Sequence, residues 1–224
     1  MLKFAIEFNY DIPISQKLVV GTLGPSGTSS ESVLEYVVEQ LQLEAVTITT
    51  KLFENFDQLK EALLSEKVNL ALVPHAYHNI NDFYMEPSFE LSFIFIYPTP
   101  IYGLAKKPIA KFDMNNCTIL THPAPLPLLS YLMPDYEKEK HIKVKLVDST
   151  SVAAKEVSDG LAELALTNEK AAKKYGLEFI RTYGEIKMSW SIFKHKEDNF
   201  LITHNYIYNN LQRTNSKLCL YIFQ

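Results

Sequence analysis

A chain of 224 residues with 47% hydrophobic and 21% charged side chains can bury a sizeable core, as one ordinary domain or as two small lobes. Its net charge of −4 and its two arginines, Arg181 and Arg213, leave no basic stripe, so nucleic acid is excluded as an expected partner and an anionic ligand must be held by local donors. Cys117 and Cys219 stand too far apart for a disulfide framework or zinc cluster. No apolar run is long enough to span a membrane, and the stretch MLKFAIEFNYDIPIS lacks the apolar core and cleavage site of a signal peptide. A reduced, cytoplasmic setting is the expectation.

Residues 18–23 (LVVGTL) read as a strand that ends in the turn Gly24-Pro25, and apolar residues at helical spacing follow from Ser32. Strands are predicted at 46–50 and 68–73, with a helix over 56–66 between them; Pro74 stops the second strand. Residues 91–97 (LSFIFIY) form a strand punctuated by Pro98 and Pro100, and 101–105 stay extended. A further unit runs from a strand at 117–120 to a strand at 143–147, then the helix VAAKEVSDG, a strand at 162–166, the helix EKAAKKYG with Gly176 as its stop, and a strand at 177–183. The stretch NFLITHNYIY is expected to add one more strand, with the last residues packing or fraying. Strands alternating with helices define an α/β fold with mostly parallel sheets.

Hydroxyl clusters precede three of these helices: Thr28-Ser29-Ser30, Ser149-Thr150-Ser151 and Thr167-Asn168; Thr121-His122 stands before a fourth candidate start. Helix N-termini present unpaired N–H groups and a partial positive charge, where carboxylates and phosphates settle. Such turns lie together at the carboxyl ends of strands in an open α/β sheet; if these clusters open into one cleft, they make a dianion site that needs almost no arginine. The plainer reading is that each Ser or Thr caps its own helix, worth about 1 kcal/mol without any ligand. The turn GPSGTSS is neither a P-loop nor a dinucleotide fingerprint. His75 and His122 both follow strand ends, where cleft residues sit; His75 and His78 are too little for a metal site, so no metal and no cofactor is expected. No nucleophile elbow or triad is visible.

The turn Gly24-Pro25-Ser26-Gly27-Thr28-Ser29-Ser30-Glu31 resembles the GPxGTxSE motif of prephenate dehydratases. Val73-Pro74, Thr121-His122-Pro123, Ser149-Thr150 with Ala153-Ala154, and ALTNEKAAKKYGL follow that family's order over residues 18–193. The departures are equally specific. The dehydratase Asn-x-Thr-Arg-Phe motif is replaced by Ser189-Trp190-Ser191-Ile192-Phe193, and its Glu-Asn pair by Ala76-Tyr77. VPHAYHNINDFYMEP, TPIYGLA, STSVAAKEVSDG and MSWSIF look like the bacilysin-type prephenate decarboxylases, which belong to the same superfamily.

This resemblance implies a two-lobed prephenate dehydratase-like fold, similar to type II periplasmic binding proteins, with substrate between the lobes. Residues 1–99 plus 184–224 are expected to form lobe one and 100–183 lobe two. About thirty residues follow Phe193, too few for a regulatory ACT domain. The implied activity is loss of carboxylate from prephenate without aromatisation, in antibiotic or other secondary metabolism. His75 is the expected proton donor or relay, and Ser191 stands at the position of the dehydratase threonine. Thr28, Ser29, Ser149, Thr150 and Ser151 are expected to hold anionic groups, with Tyr77, Tyr102, Thr121, His122 and Ser189 as further substrate contacts. Met188, Trp190 and Ile192 either line a dry side of the site or pack in the core. Prephenate is the expected partner, with no nucleic acid or membrane, and a homodimer is an open expectation. The residues leave two other classes open: a dehydratase making phenylpyruvate, and a non-catalytic binding module.

Overall fold

The computed structural model describes residues 3–8, 17–41, 47–111, 113–134, 136, 141–198 and 200–205; for 3–8 and 200–205 it describes the backbone path and strand pairing. The first lobe begins with β1 (Lys3–Phe8) and continues through β2 (Lys17–Leu23), α1 (Ser29–Gln40), β3 (Thr47–Phe53), α2 (Phe56–Leu64), β4 (Leu70–Pro74), α3 (Asn81–Tyr84) and β5 (Phe89–Pro98). The second holds β6 (Tyr102–Lys106), β7 (Thr118–Thr121), a 3-10 turn at Leu126–Leu128, α4 (Leu129–Leu132), β8 (Lys143–Leu146), α5 (Thr150–Ser158), β9 (Leu164–Asn168), α6 (Glu169–Lys174) and β10 (Glu178–Gly184). The chain then returns to the first sheet as β11 (Lys187–His195) and ends its described course as β12 (Phe200–Asn205).

Two five-stranded sheets result, in the orders β3-β2-β4-β11-β5 and β10-β6-β9-β7-β8. In each, the strands joined through helices run parallel: β3, β2 and β4 in one, β8, β7 and β9 in the other. The remaining pairings, of β11 with β4 and β5 and of β6 with β9 and β10, are antiparallel. The sheets are therefore mixed, parallel over half of their pairings. Parallel neighbours need a crossover helix, and the strands that pass between the lobes have none.

Alternation along the strands sorts the first lobe's core into two faces. Leu70 and Leu72 of β4 and Trp190 and Ile192 of β11 pack with Val33, Leu34 and Val37 of α1. Ala71, Val73 and Phe193 point to the other face and pack with Leu59 and Leu63 of α2 and with Phe83 of α3. Both faces of β4 are covered, so its LALVP sequence is continuously buried, as a central strand packed on both faces requires. The lobes are joined by two adjacent chain crossings that bond to each other. The Thr99 N–H donates to the Ile186 carbonyl at 2.9 Å, and the Ile186 N–H donates to Thr99 Oγ1 at 3.1 Å.

The predicted strands and helices up to β10 are present with shifted ends. β1, β11 and α3 carry no prediction. The strand expected in NFLITHNYIY is β12, paired antiparallel with β1; the fate of the last residues lies outside the described residues. No long helix follows Thr121-His122: Pro123, Pro125 and Pro127 remove backbone donors, and only the 3-10 turn and four-residue α4 form.

Candidate functional site

The sequence places a glycine turn after β2, and the structure shows what that turn does. Gly27 adopts φ 99°, a conformation open to glycine, and lets the chain bend into α1. Thr28 caps the helix: its Oγ1 accepts from the Glu31 N–H at 3.3 Å and donates to the Leu23 carbonyl at 3.1 Å. The Glu31 carboxylate reaches back to accept from the Gly27 N–H at 2.7 Å and from Ser26 Oγ at 3.2 Å. Burial alone would raise the Glu31 pKa, but the Gly27 N–H, Lys170 and Ser26 outweigh it and hold the carboxyl below its ordinary value.

The second lobe meets this turn. Ser151 Oγ donates to the Ser26 carbonyl at 2.7 Å, Lys174 Nζ to the same oxygen at 2.9 Å, and Asn168 Nδ2 to the Gly27 carbonyl at 3.0 Å. Lys170 Nζ lies 3.0 Å from Glu31 and 2.7 Å from Glu35. Ser29 Oγ and the Tyr102 hydroxyl are 2.9 Å apart. A Cβ added to Gly27 would come to 2.8 Å from Ser151 Oγ, so the close approach of the lobes also requires glycine there. The hydroxyl clusters at 28–30, 149–151 and 167–168 thus meet at this junction. They are engaged with protein partners: Ser149 accepts from the Val152 N–H at 3.0 Å, Asn168 Oδ1 from the Ala171 N–H at 3.0 Å, and Thr167 Oγ1 donates to the Thr150 carbonyl at 2.7 Å. Tyr102 is deeply buried, which raises its pKa despite the bonds to Ser29 and Thr150, so it enters this junction as a neutral phenol.

A second cluster stands at the end of β4. β11 runs antiparallel beside β4 with Trp190 opposite Pro74 and Ser191 opposite Val73, and the His75 N–H donates to the Ser189 carbonyl at 3.0 Å. Ser191 and His75 therefore share the face that carries Phe193. His75 Nε2 lies 2.6 Å from Ser191 Oγ. The Tyr84 hydroxyl, on the last residue of α3, is 2.9 Å from Ser191 Oγ and 3.2 Å from His75 Nε2. The two residues singled out for the chemistry thus touch directly. Tyr84 had no sequence signal beyond its place in HNINDFYMEP. β2 and β4 are parallel neighbours paired at Val20 with Leu70 and Gly21 with Ala71, so both run to the same edge of the sheet. The glycine turn and His75 each follow the carboxyl end of one of these strands.

The other expected contacts are placed differently. Tyr77 packs on Phe56, with ring centroids 4.2 Å apart, against the α2 core, and burial raises its pKa. Thr121 is fully buried and donates to the His122 and Leu166 carbonyls. His122 accepts from the Ala124 N–H at 3.1 Å within its own turn; burial lowers its pKa, with Asp148 opposing. Met188, Trp190 and Ile192 belong to the α1 core, on the opposite face of β11 from Ser191, and Trp190 Nε1 donates to the Tyr97 carbonyl at 3.1 Å. Among the described residues, one group has metal-ligand chemistry: Glu66, His195 and Glu197, whose ligand atoms lie within 4.8 Å of one another. It sits at the far end of β11, and two of its members are exposed carboxylates beside the exposed Lys67 and Lys196.

No family model matches the chain. It is 58% identical over 196 residues to a prephenate decarboxylase of Planktothrix agardhii (strain NIVA-CYA 126/8), an alignment covering 88% of this chain and 97% of that protein. The chain belongs to the prephenate decarboxylase family. A Bacillus subtilis (strain 168) prephenate decarboxylase is 41% identical over 184 residues, 80% of this chain and 88% of that one. The fold is that of a prephenate dehydratase from Arthrobacter aurescens, solved with L-Phe: TM-score 0.61 at 15% identity, over 80% of this chain and 60% of that one. An ABC transporter periplasmic substrate-binding protein from Coxiella burnetii shares it at TM-score 0.52 and 18% identity, over 81% of this chain and 86% of that one. The two-lobed α/β fold expected from the sequence is thus the observed one.

Proposed function

We propose that this chain decarboxylates prephenate and leaves the ring non-aromatic. Membership of the prephenate decarboxylase family supports the reaction, and the observation that carries the residue assignment is the direct contact of His75 with Ser191 at the carboxyl edge of the first sheet. Prephenate carries a carboxylate and a pyruvyl arm on C1 and a hydroxyl on C4 of a cyclohexadiene. In the proposed step the C1–carboxylate bond breaks and carbon dioxide leaves. The electron pair moves into the ring, a double bond shifts, and a ring carbon takes a proton. The C4 hydroxyl stays, so no benzene ring forms.

His75 supplies that proton in this reading, with Ser191 holding the imidazole. The dianion lies where the glycine turn meets the starts of α5 and α6. Ser29, Tyr102, Thr150 and Ser151 bond across or within that junction when the lobes are together, and they face the substrate's anionic groups when the lobes part to admit it. Closing again sheds water from the C1 carboxylate, which favours departure of its charge. Thr28 and Ser149 act as caps that aim helix N–H groups at the site; Tyr77, Thr121, His122 and Ser189 are retained as outer contacts. Antibiotic or other secondary metabolism, a cytoplasmic setting and a homodimer complete the reading; among the described residues no helix is long and apolar enough to cross a membrane.

The test is incubation with prephenate at neutral pH and proton NMR of the product. Olefinic ring protons with released carbon dioxide are expected. Phenylpyruvate would replace the proposal with dehydration, and unchanged prephenate would overturn the enzyme reading.

A further inference from the structure

The proposed decarboxylation consumes one proton per turnover: carbon dioxide leaves without one, and the ring carbon gains one. Whatever group delivers it must be recharged from water. Ser191 cannot take a proton from solvent directly, because it is 0% exposed. His75 is half-buried, with its Nε2 atom turned to Ser191 and Tyr84. Tyr84 is 37% exposed, and its hydroxyl reaches both other groups.

The donor inventory allows a directed chain. With the lone pair on His75 Nε2, the Ser191 hydroxyl donates to it and the Tyr84 hydroxyl donates to Ser191 Oγ. A shift of hydrogens along that chain moves one proton from Tyr84 to Ser191 and one from Ser191 to Nε2. The phenol then regains a proton from water at its exposed side. Packing holds the phenol in place: the Tyr84 ring stands edge-on to Phe193 with centroids 5.0 Å apart, and Phe83, its neighbour in α3, is buried in the core.

We propose that Tyr84 is the solvent-side relay that reprotonates His75 through Ser191. It is a positioning residue acting through the other two, and the inference rests on the decarboxylase reading above. The test is Tyr84→Phe, which keeps the ring packing and removes only the hydroxyl. The kcat for carbon dioxide release is expected to fall at least about tenfold, less than the roughly 10²-fold or more for loss of the proton donor itself, with KM for prephenate changed less than about twofold. The solvent deuterium isotope effect on kcat should rise, and added imidazole buffer should restore turnover in the variant but not change the wild type. Wild-type kcat and isotope effect in Tyr84→Phe would overturn the relay. So would a loss of turnover with an unchanged isotope effect, a lowered melting temperature and no rescue, which would make Tyr84 a packing residue. A wild-type protein that releases no carbon dioxide would bring down the decarboxylase reading itself, and the relay with it.

Discussion

Ser191 is a fully buried hydroxyl in a β-strand, flanked by the buried Trp190 and Ile192, and its Oγ is bonded to an imidazole 116 positions earlier in the chain. A buried serine needs only one partner to be satisfied. That the partners of Ser191 are two titratable side chains, His75 and Tyr84, separates it from the capping hydroxyls at 28 and 149, which bond to backbone groups. Ser191→Ala is expected to lower kcat on the order of 10²-fold, as for loss of a group that orients a proton donor. His75→Ala should be at least as severe, while melting temperatures change little because His75 is not in a core cluster. Carbon dioxide release measured beside thermal melts checks this; wild-type rates in both variants would move the proton donor elsewhere. Ile192, one residue on, illustrates the period of two along a strand. It is packed with α1, so the absence of an arginine there is a property of the core face and not of the face that carries His75.

Helix starts are the elements that meet at the lobe junction. α1, α5 and α6 each open on a side chain that accepts from a backbone N–H in the first turn. Their caps stabilise the helices whether or not an anion is bound, so the hydroxyl pattern in the sequence carried two meanings at once. Thr28→Ala should lower global stability by about 1 kcal/mol, read by urea unfolding, through the lost cap. Its KM for prephenate should rise as well if the N–H groups of α1 are aimed at the substrate. A stability loss with unchanged KM would leave Thr28 as a cap alone. Most helices and helix-linked strands were legible because their hydrophobic periods are local. β11 was not, because its alternation of Ser189 and Ser191 with Trp190 and Ile192 makes a strand only between β4 and β5. α3 was equally hidden: four residues with no side-chain cap leave no pattern to read.

At the scale of the whole molecule, the closed arrangement rests on the ion pairs of Lys170 with Glu31 and Glu35 and on the hydrogen bonds to the Ser26 and Gly27 carbonyls. The Glu31 carboxyl is held below its ordinary value of 4.5 in the folded protein. Its contribution is therefore fully present above that ordinary value and is lost as pH falls through the lowered one. The melting temperature of Glu31→Gln should lie below that of the wild type at neutral pH, and the gap should close in the acid range below about pH 4.5. A gap that persists unchanged at acid pH would show that the carboxylate charge does not hold the lobes. The two crossings between the lobes, at Thr99 and Ile186, are bonded to each other.

The sequence by itself determined the α/β class, the positions of most helix-linked strands, the glycine turn and the family's ordered motifs, because each is written in contiguous residues. It also singled out His75 and Ser191, one from its place after a strand and the other from a motif departure. Only the tertiary structure decided that these two touch, that Tyr84 completes the cluster, and that the hydroxyl turns of one lobe bond to the other. Those facts depend on an antiparallel strand returning from the far end of the chain and on the closure of two lobes, and neither leaves a local periodicity to read.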